Sequence, residues 1–201
     1  SMRDARAGVF VGASRNDYAT LWYGRGAAAL TAHSSTGLQR SMIANRVSYT
    51  FGLRGPSMTV DTAQSSSLVA VHQAAESLRR GDCTSALAGG VNLNLSPTSA
   101  AESAQFGGLS TRGRCFTFDE RADGFVRGEG GAMVVLKTVA QAVADGDRVY
   151  CVILGGAVNN DGISDGLTVP SATAQEEVIR LARKRAGVRA SDVQYVELHG
   201  A

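Results

Sequence analysis

The segment VDTAQSSSLVAVHQA, beginning at Val60, puts Gln64 and three serines, Ser65, Ser66 and Ser67, where a strand passes into a helix. A residue in the first turn of a helix lies among free backbone N–H groups, at the positive end of the helix dipole. Such a place suits a thiolate or a developing oxyanion. Gln64 is neither. Its amide is neutral, and its nitrogen is neither basic nor nucleophilic. Gln is also not among the favoured N-cap residues. Two readings fit the local pattern equally: a surface residue on an ordinary helix, or a position built for chemistry whose occupant cannot form an acyl-enzyme. His199 is the second candidate. It follows the strand expected at Gln194–Leu198, and its imidazole can donate a hydrogen bond.

Other polar groups have plainer readings. Ser65, Ser66 and Ser67 with Asp61 and His199 suggest a serine hydrolase, but there is no G-x-S-x-G elbow. First-turn serines commonly satisfy backbone donors. Asp119, Asp123, Arg127 and Glu129 form a charged loop before Met133, where ion pairing that fixes the loop is expected rather than acid–base work. Asn159 and Asp161 are expected to form a turn. His72 reads as a packed or half-exposed helix histidine, and His33 has no assigned role. No metal-ligand spacing is present. The Gly-x-Gly fragments lack the strand–loop–helix setting of a nucleotide site.

The elements that must position these groups alternate. Strands are expected at Val9–Val11, Ser57–Thr62, Ala86–Leu93, Ala132–Leu136, Tyr150–Val158 and Gln194–Leu198. Helices are expected at Leu38–Val47, Thr98–Gln105, Val139–Ala144 and Thr173–Arg185. A further helix carries Leu68, Val71, Ala75 and Leu78 on one face and stops at Gly81. This alternation predicts an α/β protein with helices covering a sheet. Chemistry in such folds collects beyond the carboxyl ends of the strands. Gln64 and His199 each follow a strand.

The 201 residues suffice for a large core, and 44% are hydrophobic and 19% charged, a globular composition. A net charge of +2 argues against a nucleic-acid surface. The basic run Arg183-Lys184-Arg185 reads as a solvated helix end. Cys83, Cys115 and Cys151 are odd in number and far apart, which disfavours a disulfide framework and fits a reduced, cytoplasmic setting. No apolar run reaches the roughly 18 residues of a membrane span. SMRDARAGVF lacks the apolar core of a signal peptide.

Six segments, taken in order, resemble β-ketoacyl synthases of modular type I polyketide synthases. They are GVFVGAS from Gly8, MIANRVSYTFGLRGPSMTVDTA from Met42, VDTAQSSSL from Val60, GGLSTRGRCFTFDERADGFVRGEGGAMVVLK from Gly107, NNDG from Asn159 and YVELHG from Tyr195. In that family the position of Gln64 holds a cysteine that carries the acyl chain. Gln in its place resembles the Q-type ketosynthase of loading modules. RCFTFDERADGFVRGEGG and YVELHG are also closer to loading-module sequences than to extending ones.

The resemblance implies a thiolase-like αβαβα fold. Residues 1–201 would be its middle portion, about half of a ketosynthase: the end of the N-terminal half and the start of the C-terminal half, with both termini truncated. It implies decarboxylation of malonyl or methylmalonyl held on an acyl carrier protein, giving an acetyl or propionyl starter, with Gln64 and His199 in the catalytic centre. A second histidine and a lysine of the family would lie beyond the chain. Ser103 stands where extending synthases often have Phe, implying a changed acyl pocket. Ala201 stands where the family has Thr after His-Gly, implying a looser contact to the carrier arm. No cofactor is implied beyond the carrier's phosphopantetheine. The implied partners are the acyl carrier protein, an adjacent acyltransferase and a second copy of the domain; neither nucleic acid nor membrane is implied. Two alternatives stay open: an extending synthase with an engineered Cys→Gln change, and a chain-length-factor-like protein that works by pairing.

Overall fold

The computed structural model describes residues 5–200. The chain forms two compact units, divided between Thr138 and Val139. Ala201 lies outside the described residues.

The first unit is built on a four-stranded sheet in the order β2-β1-β3-β4. Its strands are β1 (Ala7–Gly12), β2 (Ser57–Val60), β3 (Ser85–Asn92) and β4 (Gly130–Leu136). β1 runs parallel to both neighbours, and β4 is antiparallel to β3. Every residue of β1 is buried, as a central parallel strand covered on both faces requires. Successive side chains of a strand point to opposite faces. Phe10 therefore enters one core with Ala70, Ala74, Leu78, Cys83, Ala86 and Ala88, while Val9 and Val11 enter another with Ala7, Ala44 and Leu53. The first core lies under α4 (Ser66–Arg80) and the second under α3 (Met42–Phe51). Phe10 is 1% exposed. Its truncation to Ala would cost about 3–5 kcal/mol through lost burial and the cavity left behind.

Three sequence expectations change here. The helix expected over Leu38–Val47 is broken: α2 (Ser34–Leu38) ends, Gln39–Ser41 turn, and α3 begins at Met42. The break is held by Arg40, whose carbonyl accepts from Thr59 Oγ1 at 2.8 Å. The face of α4 is also rotated. Leu68 is 75% exposed, and the buried residues are Ser66, Val69, Ala70, Ala74, Ser77 and Leu78. Small residues face the sheet because the helix lies close to it; size-weighted periodicity favours the bulkier, wrong positions. β2 stops at Val60, short of Thr62, because Asp61–Ala63 turn away. α4 ends as expected at Gly81, with φ +75°. α1 (Asp17–Tyr23) and a 3-10 turn at Ala27–Ala29 were not anticipated. α5 (Pro97–Gln105) starts with Pro97 behind the Ser96 cap, whose hydroxyl accepts from Thr98 N at 3.2 Å.

The second unit holds α6 (Val139–Ala144), α7 (Ala172–Ala186) and a 3-10 turn at Ala190–Asp192. Ser171 caps α7 by accepting from Ala174 N at 3.2 Å. Among the described residues, no regular strand covers Tyr150–Val158 or Gln194–Leu198, where strands are expected. Tyr150 and Tyr195 are 84% and 77% exposed. The basic run Arg183-Lys184-Arg185 does close a helix: Gly187 N–H bonds to the carbonyls of Arg183 and Lys184.

Candidate active site

The turn that presents Gln64 is built from four side chains. Asp61 Oδ1 accepts from Ala63 N at 3.2 Å. Ser66, which is buried, accepts from Thr62 N at 2.9 Å and donates to Ala63 O at 2.5 Å. Ser65 Oγ donates to Thr62 O at 2.8 Å and lies 2.9 Å from Thr62 Oγ1. Ala63 is thereby held at φ +53°, a left-handed conformation that costs a non-glycine residue about 1–2 kcal/mol. Such strain persists only where the surroundings over-determine it. Gln64 follows at once, exposed, on the approach to the first turn of α4. Ser65 and Ser66 thus spend their hydroxyls on holding this turn.

Beneath this turn the sheet has no side chains. Gly12 and Gly90 are ladder partners. A Cβ on Gly12 would lie 2.5 Å from Ser67 N, and one on Gly90 2.7 Å from Ser67 Cβ. Only glycine lets the start of α4 settle this closely on β1 and β3.

Arg40 reaches the same turn from the α2–α3 break. Its Nη1 lies 2.8 Å from Asp61 Oδ2, and its Nη2 donates to Ala13 O. The hydrogen bond from Arg40, then that from the Ala63 amide, holds the Asp61 carboxyl below the usual range. Another carboxylate, Asp17, is buried farther along. Asp17 Oδ2 accepts from Leu95 N at 2.9 Å, Ser96 N at 2.9 Å and Ser99 Oγ at 2.7 Å. Burial alone would raise its pKa; the Ser99 hydroxyl and the two amides outweigh that, and it is lowered. It ties the start of α1 to the start of α5. It also lines a polar cavity of about 290 Å³ with Ser14, Arg15, Ser96, Ser99 and Glu102.

Ser103 is buried on α5, donating to Ser99 O at 2.9 Å and accepting from Arg15 Nη2 at 3.4 Å. Its hydroxyl is thus engaged within the fold. His199 belongs to the second unit, exposed, and is followed by Gly200 at φ +76°. Nearby in sequence, Tyr195 donates to Glu197, which pushes its hydroxyl pKa up. In the NNDG segment the turn is closed by Asn160, which accepts from Gly162 N at 2.8 Å. Asn159 and Asp161 instead bind the start of α7, at Ala174 O and Ser171 N.

The charged loop behaves in part as expected. Asp123 accepts from Ser110, Thr111 and Arg112, and Asp119 pairs with Arg121 at 2.8 Å. Arg112 and Arg121 both stack on Phe116, at 4.9 and 4.7 Å. Arg127 and Glu129 serve otherwise, bonding Ser99 Oγ at 3.2 Å and Asn94 N at 2.6 Å. His72 is half-buried and His33 exposed. Among the described residues no acidic, His or Cys cluster could hold a metal. No described helix is long and apolar enough to cross a membrane.

Residues 1–142 match the β-ketoacyl synthase N-terminal domain and residues 150–201 match the C-terminal domain. The chain belongs to the β-ketoacyl synthase family. This ketosynthase sequence is 63% identical over 200 residues to polyketide synthase GfsA of Streptomyces halstedii. It is 50% identical over 200 residues to a phenolphthiocerol/phthiocerol polyketide synthase polypeptide of Mycobacterium tuberculosis. All of the chain is covered in both, but it spans only 3% and 11% of those proteins. The ketosynthase from module 6 of the bacillaene synthase of Bacillus subtilis matches 99% of the chain at TM-score 0.89 and 36% identity. The oxazolomycin ketosynthase domain of Streptomyces albus matches 100% at TM-score 0.89 and 41% identity. The chain spans 34% and 36% of these two structures. The fold is therefore the thiolase-like α/β fold of ketosynthases, represented here by a part of it.

Proposed function

We propose that this chain is part of a Q-type ketosynthase, a decarboxylase that makes the starter unit in the loading module of a modular polyketide synthase. Its substrate would be malonyl or methylmalonyl, held as a thioester on the phosphopantetheine arm of an acyl carrier protein and supplied by an adjacent acyltransferase. A homodimeric arrangement belongs to the same reading. The supporting observation is Gln64: an elaborately fixed turn in a ketosynthase presents a side chain that cannot be acylated.

Loss of carbon dioxide breaks the bond between the α-carbon and the carboxylate. The electron pair passes into an enolate with its charge on the thioester oxygen, and a proton then adds at carbon. A hydrogen bond from His199 to that oxygen would stabilise the enolate; one well-placed donor is worth about 10²–10³ in rate, or about 3–4 kcal/mol. The Gln64 amide has about the reach of an acylated cysteine. It fills that volume and offers N–H donors and a C=O acceptor, so the site behaves as though already charged.

The test is mass spectrometry of malonyl- and methylmalonyl-carrier protein incubated with the full-length polypeptide, native and His199→Ala. The expected result is acetyl- or propionyl-carrier with no acyl adduct on the ketosynthase, slowed about 10²–10³-fold by the substitution. An absence of carbon dioxide loss, or full turnover without the imidazole, overturns the proposal.

A further inference from the structure

We infer that Arg40 is a positioning residue for position 64, acting through Asp61 and the backbone of Ala13 to fix the left-handed turn at Ala63. Arg40 lies in no regular element, between α2 and α3, and its side chain is 28% exposed. Its two terminal nitrogens grip two different segments: Nη1 binds Asp61 Oδ2 at 2.8 Å, and Nη2 binds the carbonyl of Ala13, just past β1. Ala13 N in turn donates to Val60 O at 3.0 Å, one residue before Asp61. Arg40, Ala13, Val60 and Asp61 therefore form a closed ring of contacts across the ends of β1 and β2. The Arg40 carbonyl adds a third tie, to Thr59 Oγ1 of β2.

The ring reaches the site through one carboxylate. Asp61 uses Oδ2 for Arg40 and Oδ1 for the Ala63 amide, so its plane is set by the guanidinium and sets the turn. The third guanidinium donor, Nε, is buried without a partner. Buried donors are rarely left so, and an orphaned one calls for a reason; here the two terminal contacts fix the orientation that strands it. Lysine keeps the charge but has one nitrogen and no planar fork, and cannot hold both oxygens in this geometry. A cavity of about 170 Å³, lined in part by Arg40, Ala13 and Ile43, gives a substituted side chain room to leave the ring.

The rate measurement rests on the decarboxylase proposal; a second measurement does not. In the full-length polypeptide, Arg40→Lys is expected to lower kcat on malonyl-carrier about 10-fold or more, with KM within about twofold and Tm within a few degrees. Asp61→Asn should do the same, and the two together should cost less than the product of the two single losses, because both act on one contact. A kcat within about twofold of native, or a loss matched by unfolding at the assay temperature, overturns the inference. Independently, the thiol introduced by Gln64→Cys is alkylated with iodoacetamide across pH, with and without Arg40→Lys. An alkylation rate changed about 10-fold supports positioning; an unchanged rate and pH profile overturns it, whatever reaction the native polypeptide performs. Failure of the native polypeptide to release carbon dioxide sinks the decarboxylase reading alone, and the thiol measurement still decides the role of Arg40.

Discussion

Gly12 and Gly90 face each other across the β1–β3 ladder, and the first turn of α4 rests on both. A methyl group at Gly12 would stand 2.5 Å from the backbone of Ser66 and Ser67, which has no flexible end to move aside. Gly12→Ala is therefore expected to lift the start of α4, destabilise the ketosynthase by about 1–3 kcal/mol and displace residue 64. Thermal unfolding and starter formation should fall together. An unchanged Tm would mean that the helix seat is looser than these distances state.

Gln64→Cys restores a thiol at the start of a helix, where the dipole and free N–H groups favour thiolate. The variant is expected to take up an acyl label from an acyl thioester, seen as a mass increase on the intact protein. It should gain condensing ability and form starter more slowly. Starter formation at the native rate would remove the idea that the Gln64 amide works by occupying acyl volume.

Asp17→Ala strips three donors, Leu95 N, Ser96 N and Ser99 Oγ, of a common acceptor. Unpaired buried donors cost about 1–3 kcal/mol each, with relaxation recovering part, so a loss of about 3 kcal/mol is expected. Asp17→Asn can keep an oxygen at the same point and should cost less. Equal losses in the two variants, measured by denaturation, would show that charge and not hydrogen bonding carries the effect.

The Asp61 carboxyl is held below its ordinary pKa by Arg40 and the Ala63 amide. A depressed carboxyl contributes stability that is present above the unfolded pKa and lost as pH falls through the folded one. The turn should therefore be unaffected from neutral pH down to about pH 4 and loosen below that. The carboxyl carbon of Asp61, followed by NMR, should titrate below the usual aspartate range in the native protein and move up toward it in Arg40→Gln. A native midpoint at or above that range would break the link.

Periodicity located β1, β3, β4, α5, α6 and α7 because each carries a cap, a run or a face of its own. Tyr150–Val158 and Gln194–Leu198 are strand-like in sequence, yet no regular strand covers them among the described residues. Periodicity failed where burial depends on how closely a neighbour approaches. Leu68 outweighed Ala70 and Ala74 on any hydrophobicity count, although close approach to the sheet selects small residues. Gln64 and His199 are candidates on their places after expected strands and on the resemblance, while the family was legible from the order of its motifs. Arg40 was not: a single arginine between Gln39 and Ser41 gives no signal that its guanidinium will bridge Ala13 and Asp61. Nor was Asp17, whose three donors arrive from residues about 80 positions later in the chain.

The pairing order of the sheet bears on synthesis. β1 is made first among the described strands, yet its partners begin at Ser57 and Ser85, and the last ladder closes only when β4 reaches Leu136. Contacts this distant in sequence are slow to nucleate. While the ribosome is still translating the intervening loops, the apolar flanks of β1 and β3 stand open to other nascent chains, and a pause in elongation ahead of β4 would lengthen that exposure.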